Sequence, residues 1–103
     1  MTINVANVTT AGNVVYPSIG NTAVTYFALC NYSASDVMAN IYVVPNGQTA
    51  GNTNTLCSNL VIAGNDTYFL YIAAEKLILG NGDSLQAVAN ANTVTATTSY
   101  TSI

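Results

Sequence analysis

Apolar and polar residues alternate with a period of two along nearly the whole chain, and no window carries the spacing of an amphipathic helix. The first such run, Ile3 to Thr9, reads as a short mixed strand. Val14, Val15 and Tyr16 form a second, closed or kinked by Pro17, which lacks the N–H that a sheet interior needs. In "TAVTYFALC", residues 22–30, Ala23, Thr25, Phe27 and Leu29 fall on one side and Val24, Tyr26, Ala28 and Cys30 on the other. Both sides are fairly apolar, which predicts a central strand.

After a turn over residues 31–36, "VMANIYVV" sets Val37, Ala39, Ile41 and Val43 toward the core. Pro45-Asn46-Gly47 ends that strand, because proline fixes one turn dihedral and glycine permits the positive φ that follows. Residues 46–55 are the longest polar stretch and predict an exposed loop. In "LCSNLVI", Leu56, Leu60 and Ile62 face one way. "TYFLYI" at 67–72 is rich in aromatics with high strand propensity, and Leu77-Ile78-Leu79 is a short apolar rung. Two strands complete the chain. The last sets Val94, Ala96, Thr98 and Tyr100 on one side and nearly all threonine on the other, a face either solvated or laid against another subunit.

Seven or eight short strands with regular turns and no helix predict an all-β fold. The expected architecture is an antiparallel β-sandwich of immunoglobulin-like size, one domain over residues 1–103, with a jelly roll as the alternative. A weak echo links "GNDTYFLYIA" from Gly64 with "GDSLQAVANA" from Gly82, and shared turn chemistry explains it better than duplication does.

Charge changes the picture most. Only Asp36, Asp66, Glu75, Lys76 and Asp83 are charged, 5% of the chain, where about a quarter is usual. The polar surface is therefore asparagine, threonine and serine, which hydrogen-bond well and repel weakly. With one basic residue and no histidine, the chain cannot neutralise a run of phosphates, so neither nucleic acid nor an anionic membrane is an expected partner. The start of the chain lacks the basic and apolar regions of a signal peptide, and no apolar run is long enough to span a bilayer, so a cytoplasmically made product is expected. Cys30 and Cys57 read as buried free thiols, a disulfide being the alternative in an oxidising compartment; without histidine they do not complete a zinc site.

Candidate chemistry is thin. The Gly80-Asn81-Gly82-Asp83 loop is spaced for neither a dinucleotide nor a phosphate, and it lacks the carboxylates calcium needs. Asn81-Gly82 instead predicts a turn, with Asp83 and Ser84 capping backbone N–H groups. Glu75 and Lys76 are neighbours that a strand would point to opposite faces, so they read as edge solvation. The abundant serines and threonines have no histidine to activate them. An enzyme is not expected, and no catalytic, cofactor or metal residue is assigned. Seven tyrosines, Tyr16, Tyr26, Tyr32, Tyr42, Tyr68, Tyr71 and Tyr100, predict mainly packing at the rim of the core; exposed ones would suit sugars or interfaces. Asn-x-Ser/Thr sequons at Asn7, Asn31 and Asn65 are expected by chance in so Asn- and Thr-rich a chain.

The runs "NTAVTYFALCNYSASDVMANIYVVPNG" from Asn21 and "AGNDTYFLYIAAEKLILGNGDSLQAVANA" from Ala63 resemble small structural proteins of tailed bacteriophages, of the marine and cyanobacterial type. The likeness lies in "CN" after the strand ending at Cys30, in "YVVPNG", and in "EKLILGNGD" before the penultimate strand. It implies a β-sandwich virion subunit present in many copies: a capsid decoration or cement protein, or a neck- or tail-associated accessory. The implied partners are copies of itself, as a trimer or symmetric ring, and other virion proteins such as capsid or tail subunits. None of the shared motifs is catalytic, so no binding residue is carried over. The alternative expectation is a carbohydrate- or host-surface-binding module that uses exposed tyrosines.

Overall fold

A computed structural model describes residues 2–70 and 77–103. These form nine strands: β1 (Thr2–Val8), β2 (Asn13–Pro17), β3 (Thr22–Asn31), β4 (Val37–Val44), β5 (Thr55–Ile62), β6 (Thr67–Leu70), β7 (Leu77–Leu79), β8 (Ser84–Ala89) and β9 (Val94–Ser102). The polar loop before β5 contributes one short 3-10 turn, Asn52–Asn54. One sheet, A, runs β1-β9-β3-β6, with β7 also on β3; the other, B, runs β2-β8-β4-β5, and every pairing is antiparallel.

The all-β sandwich is thus as expected, and its connectivity is that of the jelly roll, the alternative. Chain neighbours lie in opposite sheets, except that β4 pairs β5 and that β6 and β7 share one position beside β3. Nine strands therefore fill eight places. Short connections let so small a chain complete this topology. The β6 aromatic run was expected to reach residue 72; its last two positions lie outside the described residues.

The core lies between the sheets, where Phe27, Leu29, Ile41, Leu79 and Leu85 are completely or almost completely buried. Each such side chain contributes roughly 1.5–3 kcal/mol through burial. β3 is central as expected, but its inward set changes partway along. The register against β9 slips between Val24 and Tyr26, so Thr22 and Val24 face inward before the slip and Phe27, Leu29 and Asn31 after it. Ala23 and Thr25 therefore do not share the Phe27 side. β5 departs likewise: Asn59 takes a positive φ of 53°, Cys57, Leu60 and Ile62 pack inward, and Leu56 is exposed. On β4, whose register against β8 is unbroken, Val37, Ala39 and Ile41 are buried and Val43 packs on the core as expected, while Val44 is buried apart from the core cluster. Such bulges add a residue to one strand and reverse its faces beyond that point.

β9 follows its expected alternation, with Val94, Ala96 and Thr98 fully buried. The Thr98 hydroxyl has no hydrogen-bond partner among the described residues. Thr98→Val keeps the shape and removes an unsatisfied polar group, so it should stabilise the fold by about 1 kcal/mol. A rise in the urea midpoint at unchanged slope would show it.

Candidate functional site

The Gly80–Asp83 loop is a turn. Asp83 N–H donates to the Gly80 carbonyl at 3.1 Å, and Gly82 carries the positive φ, 87°. The Asp83 carboxylate accepts the N–H of Gly80 at 2.8 Å and that of Asn46 at 2.9 Å, which ties this turn to the Pro45-Asn46-Gly47 turn. Asn81 Oδ1 accepts Gly20 N–H at 2.8 Å. The loop's polar groups are thus spent on the protein's own backbone.

Asp36 and Asp66 lie at the opposite end of the sandwich, where they accept Gly64 N–H and Thr67 N–H. The described aspartates thus do not converge, and among the described residues no group of His, Cys, Asp and Glu gathers that could hold a metal. Glu75, Lys76 and Tyr71 lie outside the described residues. Cys30 and Cys57 are both free and only half-buried, Cys30 on the outer face of sheet A and Cys57 against the core on β5. Burial raises the Tyr68 hydroxyl above its ordinary pKa, and the neighbouring Cys57 thiol adds to the rise.

Most described tyrosines pack. Tyr16 is buried, and its ring lies 4.6 Å from that of Tyr100. Tyr68 and Tyr100 pack on the core. Tyr26 sits beside Phe69 on the outer face of sheet A, with ring centroids 6.1 Å apart. Tyr32 alone among the described tyrosines is exposed, and its hydroxyl donates to the Asn92 carbonyl. Of the sequon asparagines, Asn7 and Asn65 are exposed, whereas Asn31 is fully buried and its amide is fully engaged.

The sheet faces are the notable surfaces. On sheet A the registers align rows across the strands: Val5, Thr97, Ala28 and Phe69; Ile3, Ser99 and Tyr26; Asn7, Thr95, Cys30 and Thr67; Thr101, Ala23 and Ile78. Ile3, Val5, Phe69 and Ile78 are exposed, and among the described residues no row holds a charged one. Ala23 and Ala28 are buried yet stand apart from the core cluster, shielded by their neighbours on this outer face. The sequence pointed to the threonines here, but not to the apolar residues that flank them. The alternation of Ile3 and Val5 with the inward Asn4, Ala6 and Val8 was the available signal.

Sheet B presents Val14, Met38, Leu56 and Val61 outward, and two shallow hollows open on it. One, of about 280 Å³, is lined by Met38, Asn40, Asn59, Val88 and Asn90 among others. The second, of about 250 Å³, includes Asn13, Tyr42 and Gln86. Amides and alkyl groups there can hydrogen-bond and pack. Among the described residues, no helix is long and apolar enough to cross a membrane. Compared with known proteins, the chain matches no family model, no curated sequence and no solved structure.

Proposed function

We propose that the protein is a structural subunit that works by packing against other proteins, most concretely a multi-copy virion component of a tailed bacteriophage. Its place would be as a capsid decoration or cement subunit, or as a neck- or tail-associated accessory. The observation that carries this reading is the outer face of sheet A, where exposed apolar side chains lie among threonines with no charge among the described residues of any row. Broad apolar patches on a surface mark interaction sites. The described aspartates all stand at the ends of the sandwich, so they do not oppose coverage of its flat sides.

The motif resemblance supplies the phage setting. Jelly rolls serve viral capsid domains and lectins alike, so the fold itself favours neither reading. The sugar-binding alternative relies on exposed tyrosines, and Tyr32 is the described residue that meets that condition. A closed symmetric assembly, a trimer or a ring, agrees with the packing role.

Peptide mass spectrometry of purified particles tests the proposal. The protein should be present in many copies per particle, and absence from intact virions would overturn it. Thr97→Lys supplies a sharper arm, because Thr97 points outward at the centre of the face. The variant should fold normally yet drop out of particles, since covering an unpaired ammonium costs several kcal/mol.

A further inference from the structure

The four outer positions of the two sheets are not alike. β2 slips register between Val14 and Tyr16 and ends in Pro17. β5 carries two irregularities against β4 and the positive-φ Asn59. β6 and β7 share the remaining outer position, which is described over Thr67–Leu70 and Leu77–Leu79. Bulges, prolines and short lengths are how proteins keep sheet edges from joining other chains. β1 has none of these devices: its seven residues pair with β9 in unbroken register, without a charge, proline or glycine.

Its free side can be read from one hydrogen bond. The Asn7 carbonyl accepts Asn13 Nδ2 at 2.9 Å, so it points away from β9. Backbone groups alternate along an antiparallel strand, so the N–H and C=O of Ile3 and Val5 point the same way. Those two side chains are also among the most exposed apolar ones, 68% and 70%.

We infer that β1 is a self-pairing edge, joining the β1 of a second copy antiparallel about a two-fold axis at Asn4, so that Ile3 faces the other copy's Val5 and sheet A continues across the dimer. This register uses the backbone groups of Ile3 and Val5 on each chain and leaves the Asn7 carbonyl to Asn13. It sets Ile3 and Val5 side by side twice on the outer face, and it brings no charged side chain of β1 against its mate. A two-fold contact requires such self-complementarity. A trimer or ring joined edge to edge would instead set β1 against a different edge, and the bulged edges β2 and β5 offer no matching ladder. The contact is small, and interfaces below about 1,200 Å² in total are weak. It therefore forms where copies are concentrated, as in an assembly.

This inference deepens the packing reading by naming one partner, and its test is separate from the particle experiment. In a Cys30→Ser, Cys57→Ala background, chains carrying Ile3→Cys are mixed with chains carrying Val5→Cys and oxidised at high concentration. Paired residues in this register have Cα atoms about 5.5 Å apart, inside the disulfide range. The mixed I3C–V5C dimer should exceed the share given by random collision several-fold. Adding Val5→Pro to the I3C chain, which removes a donor from the free side only, should abolish that excess while the thermal melt stays cooperative. A random distribution of links, or V5C homodimers in excess, overturns the inference whether or not the protein is found in particles.

Discussion

Asn31→Ala should unfold the protein at far lower denaturant than the wild type, with a loss of about 3–5 kcal/mol. Asn31 is fully buried at the end of β3. Its Nδ2 donates to the carbonyls of Ser35, Ile62 and Ala63 at 2.8, 3.1 and 3.4 Å. Its Oδ1 accepts from the Ser33 N–H, the Ser33 hydroxyl and the Thr93 hydroxyl, at 3.1, 2.9 and 3.1 Å. One amide thus joins the β3–β4, β5–β6 and β8–β9 connections. Truncation strands the buried Ile62 carbonyl, at about 1–3 kcal/mol, and several part-buried groups at a lower cost each. Asn31→Asp should be no milder, because a carboxylate has no N–H for the carbonyls. Small domains have about 5–15 kcal/mol of stability in all, so the midpoint shift in urea would be large.

Gly64→Ala should cost about 3 kcal/mol at the same end of the sandwich, by overpacking rather than by a lost hydrogen bond. A Cβ on Gly64 would overlap the carbonyl of Ala34, which is backbone and cannot rotate away. Making room displaces the 33–35 turn, which holds Asn65 N–H on the Ser33 carbonyl at 2.8 Å and Asn31 Nδ2 on the Ser35 carbonyl. The two substitutions act on one network, so the double variant should lose less than the sum of the singles. Equilibrium denaturation of all three variants checks both claims.

The strands and turns were legible because their signals are local. Alternation marked each strand, and Pro45-Asn46-Gly47 and Asn81-Gly82 marked turns that the backbone adopts, with Gln48 N–H on the Pro45 carbonyl and Asp83 N–H on the Gly80 carbonyl. The echo between Gly64 and Gly82 is turn chemistry: Asp66 N–H bonds the Ala63 carbonyl as Asp83 N–H bonds that of Gly80. The third position of each turn, Asn65 and Gly82, has positive φ.

The inside and outside of β3 and β5 were less legible. A bulge reverses both faces without a distinctive residue; Thr25 looks like any strand threonine, and Asn59 looks like a surface asparagine. The role of Asn31 was hidden for a different reason. Its neighbours spell a sequon and a turn, while the partners that bury it come from Ile62, Ala63 and Thr93, far along the chain. The candidate interaction face was half legible. Threonines of β9 announced one strand of it, but Ile3, Phe69 and Ile78 join them only once β1, β6 and β7 are placed in the same sheet.

On the packing proposal, the outer face of sheet A, which carries no charge among the described residues, is covered by protein, and the mass of the free chain in solution tests that most directly. Light scattering from dilute to highly concentrated protein should show the mass rising above 10.7 kDa toward a defined multiple. A mass that stays at that of the single chain at every concentration would contradict the account.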